Sequence, residues 1–154
     1  MNKIINVCRL LIVCVVMVST GCSKSYNSPG STTNSTDPLI AIVTSGSWTV
    51  GSYTQMTVDK TSSLQGYSFV FANGGKLTAT NGSSTTEGSW SSTQAAAGIY
   101  GGPPTKATFT ISLGTTAPLD KISKTWNLAD DSNGLIHLDN PQSVEDEHIA
   151  LKKS

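Results

Sequence analysis

Cysteine and arginine are almost absent outside the first residues of the chain. The three cysteines are Cys8, Cys14 and Cys22, and the one arginine is Arg9. Residues 23–154 therefore have no thiol for a disulfide framework, a cysteine-ligated metal or a cysteine nucleophile. Charged residues are also scarce, at 13% of the sequence, which is about half the usual share and is poor for surface helices.

The charge balance argues against nucleic acid as a partner. Without Lys3 and Arg9, eight lysines stand against ten acidic residues. Nucleic-acid binding needs clustered basic side chains to neutralise phosphates, and base reading depends largely on arginine. No nucleic-acid partner is expected.

The N-terminus has the pattern of an export signal. Lys3 and Arg9 form a positive region, residues 10–18 an apolar run, and Ser19-Thr20-Gly21 the small residues that a signal peptidase accepts. Nine apolar residues are too few to cross a bilayer, which takes about 20 in a helix. The run is therefore predicted to be a signal peptide over residues 1–21.

The residues that end this signal resemble a bacterial lipobox, with Cys22 at the position that is acylated. Ser19 stands where the motif usually has an aliphatic residue, and a plain secretory signal is the alternative. The resemblance implies a lipoprotein held on the membrane through the lipid on Cys22. Ser23 follows the cysteine instead of Asp, which by the same resemblance favours the outer membrane of the cell envelope, with the exposed face left open.

Two regions follow the signal. Residues 22–36 contain the cysteine and then mostly Ser, Thr and Asn without apolar periodicity, so they are predicted to be a flexible tether that reaches about 20 Å. Residues 37–154 are long enough for one domain with its own core.

The domain is predicted to be all-β. Asp37-Pro38 indicates the start of a short helix, and Pro118 precedes one helical turn near 118–122. Elsewhere apolar residues alternate with period two. The predicted strands cover about eight segments: 46–58, 66–72, 75–80, 85–91, 105–113, 124–129, 134–139 and 146–152.

Turn sequences separate these strands. They are Asn73-Gly74-Gly75, Asn81-Gly82 and the segment 131–134, and they favour consecutive antiparallel hairpins. Such a meander either pairs as two sheets or closes into a barrel.

Several short motifs in this order resemble the lipocalin-like domains of small lipoproteins from Gram-negative bacteria. They are Trp48-Thr49-Val50, the segment 66–75, Glu87-Gly88-Ser89-Trp90, the segment 119–128 around Trp126, and Ile136-His137-Leu138. The resemblance covers about residues 38–152. It implies an eight-stranded antiparallel barrel and supports the fold more than a function.

Catalytic and metal motifs are not found in the sequence. The two histidines, His137 and His148, are out of phase with their apolar neighbours and are expected on the polar face. The segment 130–134 lacks the first and last ligands of a calcium loop, so a hairpin turn is predicted. The acidic residues 145–147 are interpreted as a solvated turn, with a weak cation or partner site as the alternative. No enzyme activity, cofactor or metal is expected.

The barrel interior is the candidate site. The predicted inward residues are Trp48, Val50, Met56, Tyr67, Phe69, Phe71, Leu77, Trp90, Phe109, Ile111, Leu113, Trp126, Leu128, Ile136, Leu138, Ile149 and Leu151. Its aromatic members are the candidate ligand-binding residues: Trp48, Tyr67, Phe69, Phe71, Trp90, Phe109 and Trp126. No charged group is expected among them, so a ligand would be apolar, with Tyr67 or an indole nitrogen as its polar contact.

Two functions fit this interior. The first is a membrane-tethered module that binds a small apolar molecule or a lipid. The second is a filled barrel that serves as a structural or interaction module of the envelope, with unidentified protein partners. Because an eight-stranded barrel is just wide enough to hold side chains or one small ligand, the packing of the interior distinguishes the two functions.

Overall fold

The computed structural model describes residues 37–132, 134–142, 144 and 146–154. The predicted signal, Cys22 and the tether lie outside the described residues. One α-helix, α1 (Pro38–Val43), precedes the strands. The strands are β1 (Ser47–Gln55), β2 (Val58–Asp59), β3 (Tyr67–Phe71), β4 (Lys76–Asn81), β5 (Ser84–Thr93), β6 (Thr108–Ser112), β7 (Thr125–Asp130), β8 (Leu135–Asp139) and β9 (Glu147–Lys153), with 3₁₀ turns at Thr61–Leu64, Ile99–Gly101 and Leu119–Lys121.

The strands form a closed antiparallel barrel. Strand β1 pairs with β3, the strands from β3 to β9 follow in chain order, and β9 pairs back with β1. The short strand β2 extends the sheet beside the end of β1. Eight strands close the barrel and β2 is additional, which confirms the predicted all-β meander and decides between barrel and sandwich.

Local sequence signals account for the helix and the turns. Asp37 caps α1 by accepting a hydrogen bond from the backbone N–H of Leu39 at 3.0 Å, and Pro38 occupies the first turn. Between β3 and β4, Gly74 and Gly75 have φ angles of 82° and 83°, a conformation that glycine adopts without a steric cost. The helix and this hairpin turn are where the sequence predicts them.

The prediction that the Met56 side chain points into the barrel is wrong. A β-bulge between Val50 and Ser52 places an extra residue, Gly51, in β1 opposite β9. Because side chains alternate across a strand, one extra residue reverses the phase that follows it. Tyr53 is therefore buried, whereas Met56 lies 57% exposed in the turn after the strand. The predicted strand 105–113 is also shorter, because pairing with β7 begins only at Thr108.

The barrel has two ends of different composition. The helix end carries α1, the β3–β4 turn, the β5–β6 loop and the C-terminus of β9. The glutamate end carries the β1–β2 turn, the 3₁₀ turns at Thr61–Leu64 and Leu119–Lys121, the β8–β9 loop and Glu147. Strand direction assigns each loop to its end, because consecutive strands run antiparallel.

Candidate functional site

The structure buries six of the seven candidate interior aromatics. Trp48, Phe69, Phe71, Trp90, Phe109 and Trp126 are all at most 3% exposed. Tyr67 is half-buried at the start of β3. Of the other predicted inward residues, Val50 and Leu128 are only partly buried against the core. Whether any of these residues binds a ligand stays a prediction.

Aromatic rings meet across the interior of the barrel. The ring of Phe71 in β3 lies 5.4 Å from that of Phe109 in β6, between centroids, although two strands separate β3 from β6. Trp90 completes the cluster at 5.7 Å from Phe71 and 5.5 Å from Phe109. These are edge-on and tilted arrangements that aromatic pairs prefer, and the rings occupy the space where a ligand would lie.

All three tryptophan side chains donate hydrogen bonds to the backbone. The Nε1–H of Trp48 donates to the carbonyl of Val43 at 2.8 Å, at the end of α1. Trp90 donates to Ala72 at 2.9 Å. Trp126 donates to Ile122 at 3.1 Å, beside the 3₁₀ turn. An indole N–H is a single donor, so the predicted use of an indole nitrogen as a ligand contact would require one of these bonds to break.

Tyr67 lines an open pocket on the side of the barrel. Strand β1 pairs with β3 only from Ser47 to Thr49, and the 3₁₀ turn Thr61–Leu64 fills part of the gap beyond. The pocket has a volume of about 390 Å³, and its lining includes Val50, Leu64 and Tyr67 together with hydroxyl and amide side chains. It lies between strands instead of along the barrel axis.

The interior of the glutamate end contains a charged group, contrary to the expectation. Glu147 is 2% exposed and accepts a hydrogen bond from the hydroxyl of Tyr53 at 2.7 Å and from Nδ2 of Asn140 at 2.7 Å. Nζ of Lys124 donates to the same carboxylate at 2.5 Å and lies 5.4 Å from the ring centroid of Trp126. The interpretation of Glu147 as part of a solvated turn is therefore wrong.

The partners of Glu147 keep it ionised. Burial alone raises the pKa of its carboxyl group, but the hydrogen bonds from Lys124, Tyr53 and Asn140 and the charge of Lys124 outweigh that effect. The pKa of Glu147 is consequently lower than its ordinary value. A buried carboxylate bonded in this way is stable as an anion at neutral pH.

Tyr53 and Glu147 are buried although the sequence analysis did not place them in the interior. The same is true of Leu64, Leu119 and Ile122, which lie on the two 3₁₀ turns of the glutamate end or directly after them. Gly51 was a signal for a bulge that would have moved Tyr53 inward. Glu147 starts β9 in phase with Ile149 and Leu151, so strict alternation already placed it on the inner face. Its acidic neighbours favoured the wrong interpretation.

The two histidines differ in exposure. The His148 side chain is 54% exposed, as predicted, and His137 is half-buried. Nδ1 of His148 lies 2.7 Å from a carboxylate oxygen of Asp139, and Nε2 lies 3.1 Å from one of Asp146. The hydrogen bond with Asp139 is the main cause that raises the pKa of His148, and the bond with Asp146 adds to it.

The described residues contain neither a metal-binding cluster nor a helix that could cross a membrane. Among the described residues, no group of three or more His, Cys, Asp or Glu side chains is placed to hold a metal ion. Within that part, no helix has the length and apolar character needed to cross a membrane.

The closed eight-stranded antiparallel barrel is the class that this geometry defines. Comparison with family models, curated proteins and solved structures finds no match to this chain.

Proposed function

We propose that this chain is a lipid-anchored protein of the bacterial envelope whose filled barrel serves as a non-enzymatic interaction module. The observation that carries the proposal is the Phe71, Trp90 and Phe109 cluster, whose rings meet in the barrel interior. An eight-stranded barrel is just wide enough to be filled by side chains or to hold one small ligand, and here large aromatic side chains occupy the interior. Here the interior supports rigidity, and recognition is assigned to the outer surface.

The anchor in this proposal is the lipid on Cys22. The support is the sequence of residues 1–22 and its resemblance to a lipobox, together with a polar tether before Asp37. A doubly or triply acylated cysteine would hold the chain on a membrane durably, whereas one acyl chain binds only marginally. The resemblance to lipocalin-like lipoproteins and the outer-membrane location belong to the same proposal.

A partner would meet the glutamate end. Met56 and Val58 are 57% and 52% exposed on the β1–β2 turn, and the N–H of Met56 donates to the carbonyl of Asp146 at 3.2 Å, which joins this turn to the β8–β9 loop. Exposed apolar side chains on a fixed turn are suited to protein contact. This end lies opposite the residue where the tether joins the barrel.

Two measurements in cells test the proposal. Metabolic labelling with an alkyne fatty acid should label the wild-type chain and leave Cys22→Ala unlabelled; a labelled Cys22→Ala chain would contradict the anchor. A photo-crosslinking residue at Val58 should capture a discrete envelope protein, whereas the same residue at Val70, which is exposed on the barrel wall, should capture less. Equal capture at both positions, or none, would contradict the interaction surface.

The side pocket supports a second candidate function, the binding of a small apolar ligand. The lining combines the apolar side chains of Val50 and Leu64 with Tyr67 and hydroxyl and amide side chains, and a mostly apolar lining with a few polar groups is typical of small-molecule sites. A Val50→Trp variant should fill the pocket and abolish such binding. If a ligand from a lipid extract binds the wild-type protein and this variant equally, the pocket is not its site.

A further inference from the structure

The loop between β5 and β6 continues as a projecting arm, which we call the apolar arm (residues 94–107). An isolated bridge pairs Ala96 with Thr105 beyond the ends of the two strands. The N–H of Thr105 donates to the carbonyl of Ala96 at 2.9 Å, and the N–H of Ala96 donates to the hydroxyl of Thr105 at 3.1 Å. These bonds give the arm a defined hairpin base.

The backbone turns tightly at the tip of the arm, where Tyr100 lies. A Cβ added to Gly98 would lie 1.6 Å from the carbonyl oxygen of Gly102, so the two backbones approach as closely as only glycine allows. Tyr100 has a φ of 56°, which is uncommon for a residue with a side chain. Its side chain is fully exposed.

The composition of the arm suits a lipid surface. It contains Ala95, Ala96 and Ala97 before the tip and Pro103 and Pro104 after it. Lys106 is its one charged residue, and no acidic residue occurs between positions 88 and 119. The arm can therefore approach anionic headgroups without charge repulsion.

The arm begins beside the point where the tether joins the barrel. The hydroxyl of Ser92 donates to Oδ2 of Asp37 at 3.4 Å, and the arm starts at Gln94, two residues after Ser92. Residues 22–36 immediately precede Asp37 in the sequence, and as the polar tether that the sequence predicts they would span about 20 Å. A lipid on Cys22 would hold this end of the barrel near the bilayer.

The charge distribution favours the same orientation. Four lysines lie toward the helix end: Lys76, Lys106, Lys152 and Lys153. Among the described residues, five acidic residues lie toward the glutamate end, Asp59, Asp120, Asp139, Asp146 and Glu147, against three lysines, Lys60, Lys121 and Lys124. The acidic residues toward the helix end are Asp37, which is buried, Glu87, which pairs with Lys76, and Asp130 and Asp131 at the β7–β8 turn. The end that carries the arm is thus the less acidic one.

We infer that the apolar arm inserts Tyr100 into the interface of the membrane that carries the Cys22 lipid. This inference rests on the proposed anchor. Tyrosine favours the bilayer interface, where its ring meets apolar chains and its hydroxyl stays hydrated. Lys106 lies near the lipid phosphates, and the contact orients the glutamate end toward the aqueous side.

Fluorescence with lipid quenchers tests this contact. A chain that starts at Cys22 and carries Tyr100→Trp is coupled through its single thiol to a maleimide lipid, in anionic vesicles whose acyl chains are brominated. The chain also contains three buried tryptophans, Trp48, Trp90 and Trp126. Their emission is measured in the parent chain and subtracted. We expect the emission of the new tryptophan to shift to the blue and to be mostly lost through quenching by the brominated chains.

The control is Val58→Trp, which places a tryptophan at the glutamate end, where the side chain of Val58 is 52% exposed. Its emission should be unchanged by brominated lipid and quenched by iodide in solution. Adding Gly98→Ala to Tyr100→Trp should disturb the tip and restore emission. If brominated lipid leaves the emission of the tryptophan at position 100 unchanged and iodide still quenches it, the membrane contact is refuted.

The coupling chemistry separates the two proposals. Because the maleimide replaces the cellular acyl chains, this experiment gives its result whether or not cells acylate Cys22. Absence of fatty-acid labelling of the wild-type chain in cells would refute the anchor alone. Absence of lipid quenching in the coupled chain would refute the arm contact alone.

Discussion

The two ends of the barrel bury their interiors with different chemistry. At the helix end, the apolar side chains of α1 pack into the core, and Leu39, Ile40 and Val43 are at most 5% exposed. At the glutamate end, an ionised Glu147 holds together side chains from β1, the β6–β7 connection and the β8–β9 loop. One end depends on apolar packing, and the other depends on a charge.

This difference shows how a small barrel can be filled without a uniform core. Apolar packing is insensitive to pH, whereas a buried carboxylate contributes only while it is ionised. The two ends should therefore respond differently to substitution and to acid. Both arrangements leave large side chains in the interior, which agrees with recognition on the outer surface.

The largest effect should come from breaking the apolar end. Ile40→Ala should lower the free energy of unfolding by about 2–5 kcal/mol, because the residue is buried and its removal leaves a cavity. The loss should be the same at neutral and acidic pH in urea titrations. Ile42→Ala is the matched control in the same helix, where the side chain is only partly buried. If the two variants lose the same free energy of unfolding, the burial of Ile40 in the core does not stabilise this end of the barrel.

Breaking the charged end should cost a similar amount of stability. Glu147→Ala removes the acceptor of three side chains and should lower the free energy of unfolding by about 3 kcal/mol. Glu87→Ala is its control, since Glu87 pairs with Lys76 at 2.7 Å in an exposed position and such pairs contribute at most about 1 kcal/mol. Similar losses at neutral pH would contradict a structural role for burial of Glu147.

Acid should distinguish the two ends more sharply. Because the folded-state pKa of Glu147 is lowered, its stabilisation is present above the unfolded-state pKa and is lost as the pH falls through the folded-state value. Wild-type stability should thus fall with acid more steeply than that of Glu147→Gln. Asp59, whose pKa is lowered mainly by the Thr61 hydroxyl, titrates in the same direction, so both proteins should carry Asp59→Asn. Parallel curves would contradict the assignment.

The smallest effect on stability should have the opposite pH dependence and comes from His148. The folded-state pKa of His148 is raised, chiefly by Asp139, so its contribution is present below the unfolded-state pKa and is lost as the pH rises through the folded-state value. Exposure should limit it to well under about 1 kcal/mol. An NMR titration should show a histidine pKa above the ordinary value, and Asp139→Asn should lower it. A value unaffected by Asp139→Asn would exclude that partner.

The fold could be predicted because its signals are local. Alternation in β6 and the Asn73-Gly74-Gly75 turn determine strand faces and hairpins without reference to distant residues. Gly51 is a local signal for a bulge, but it does not establish one by itself, because a bulge depends on how β1 pairs with β9, about a hundred residues away in the chain. The one extra residue in β1 turns the Tyr53 side chain inward and the Met56 side chain outward.

The site was harder to predict than the fold. Alternation identified most of the buried aromatics, but it could not show that the indole N–H groups donate to Val43, Ala72 and Ile122. Alternation placed Glu147 on the inner face, but it could not show the pairing that makes a buried carboxylate tolerable, which comes from Lys124 and Tyr53 on other elements. Such pairing appears only when the barrel closes.

Native mass spectrometry tests the central claim, a filled barrel, most directly. An unacylated chain that starts at Cys22 is incubated in a total lipid extract, repurified and weighed, beside the pocket-filling variant Val50→Trp. A filled interior predicts the bare mass for Val50→Trp, with any adduct of the wild-type chain confined to the side pocket. A discrete adduct that persists in both proteins would mean that the interior holds a ligand and would contradict the account.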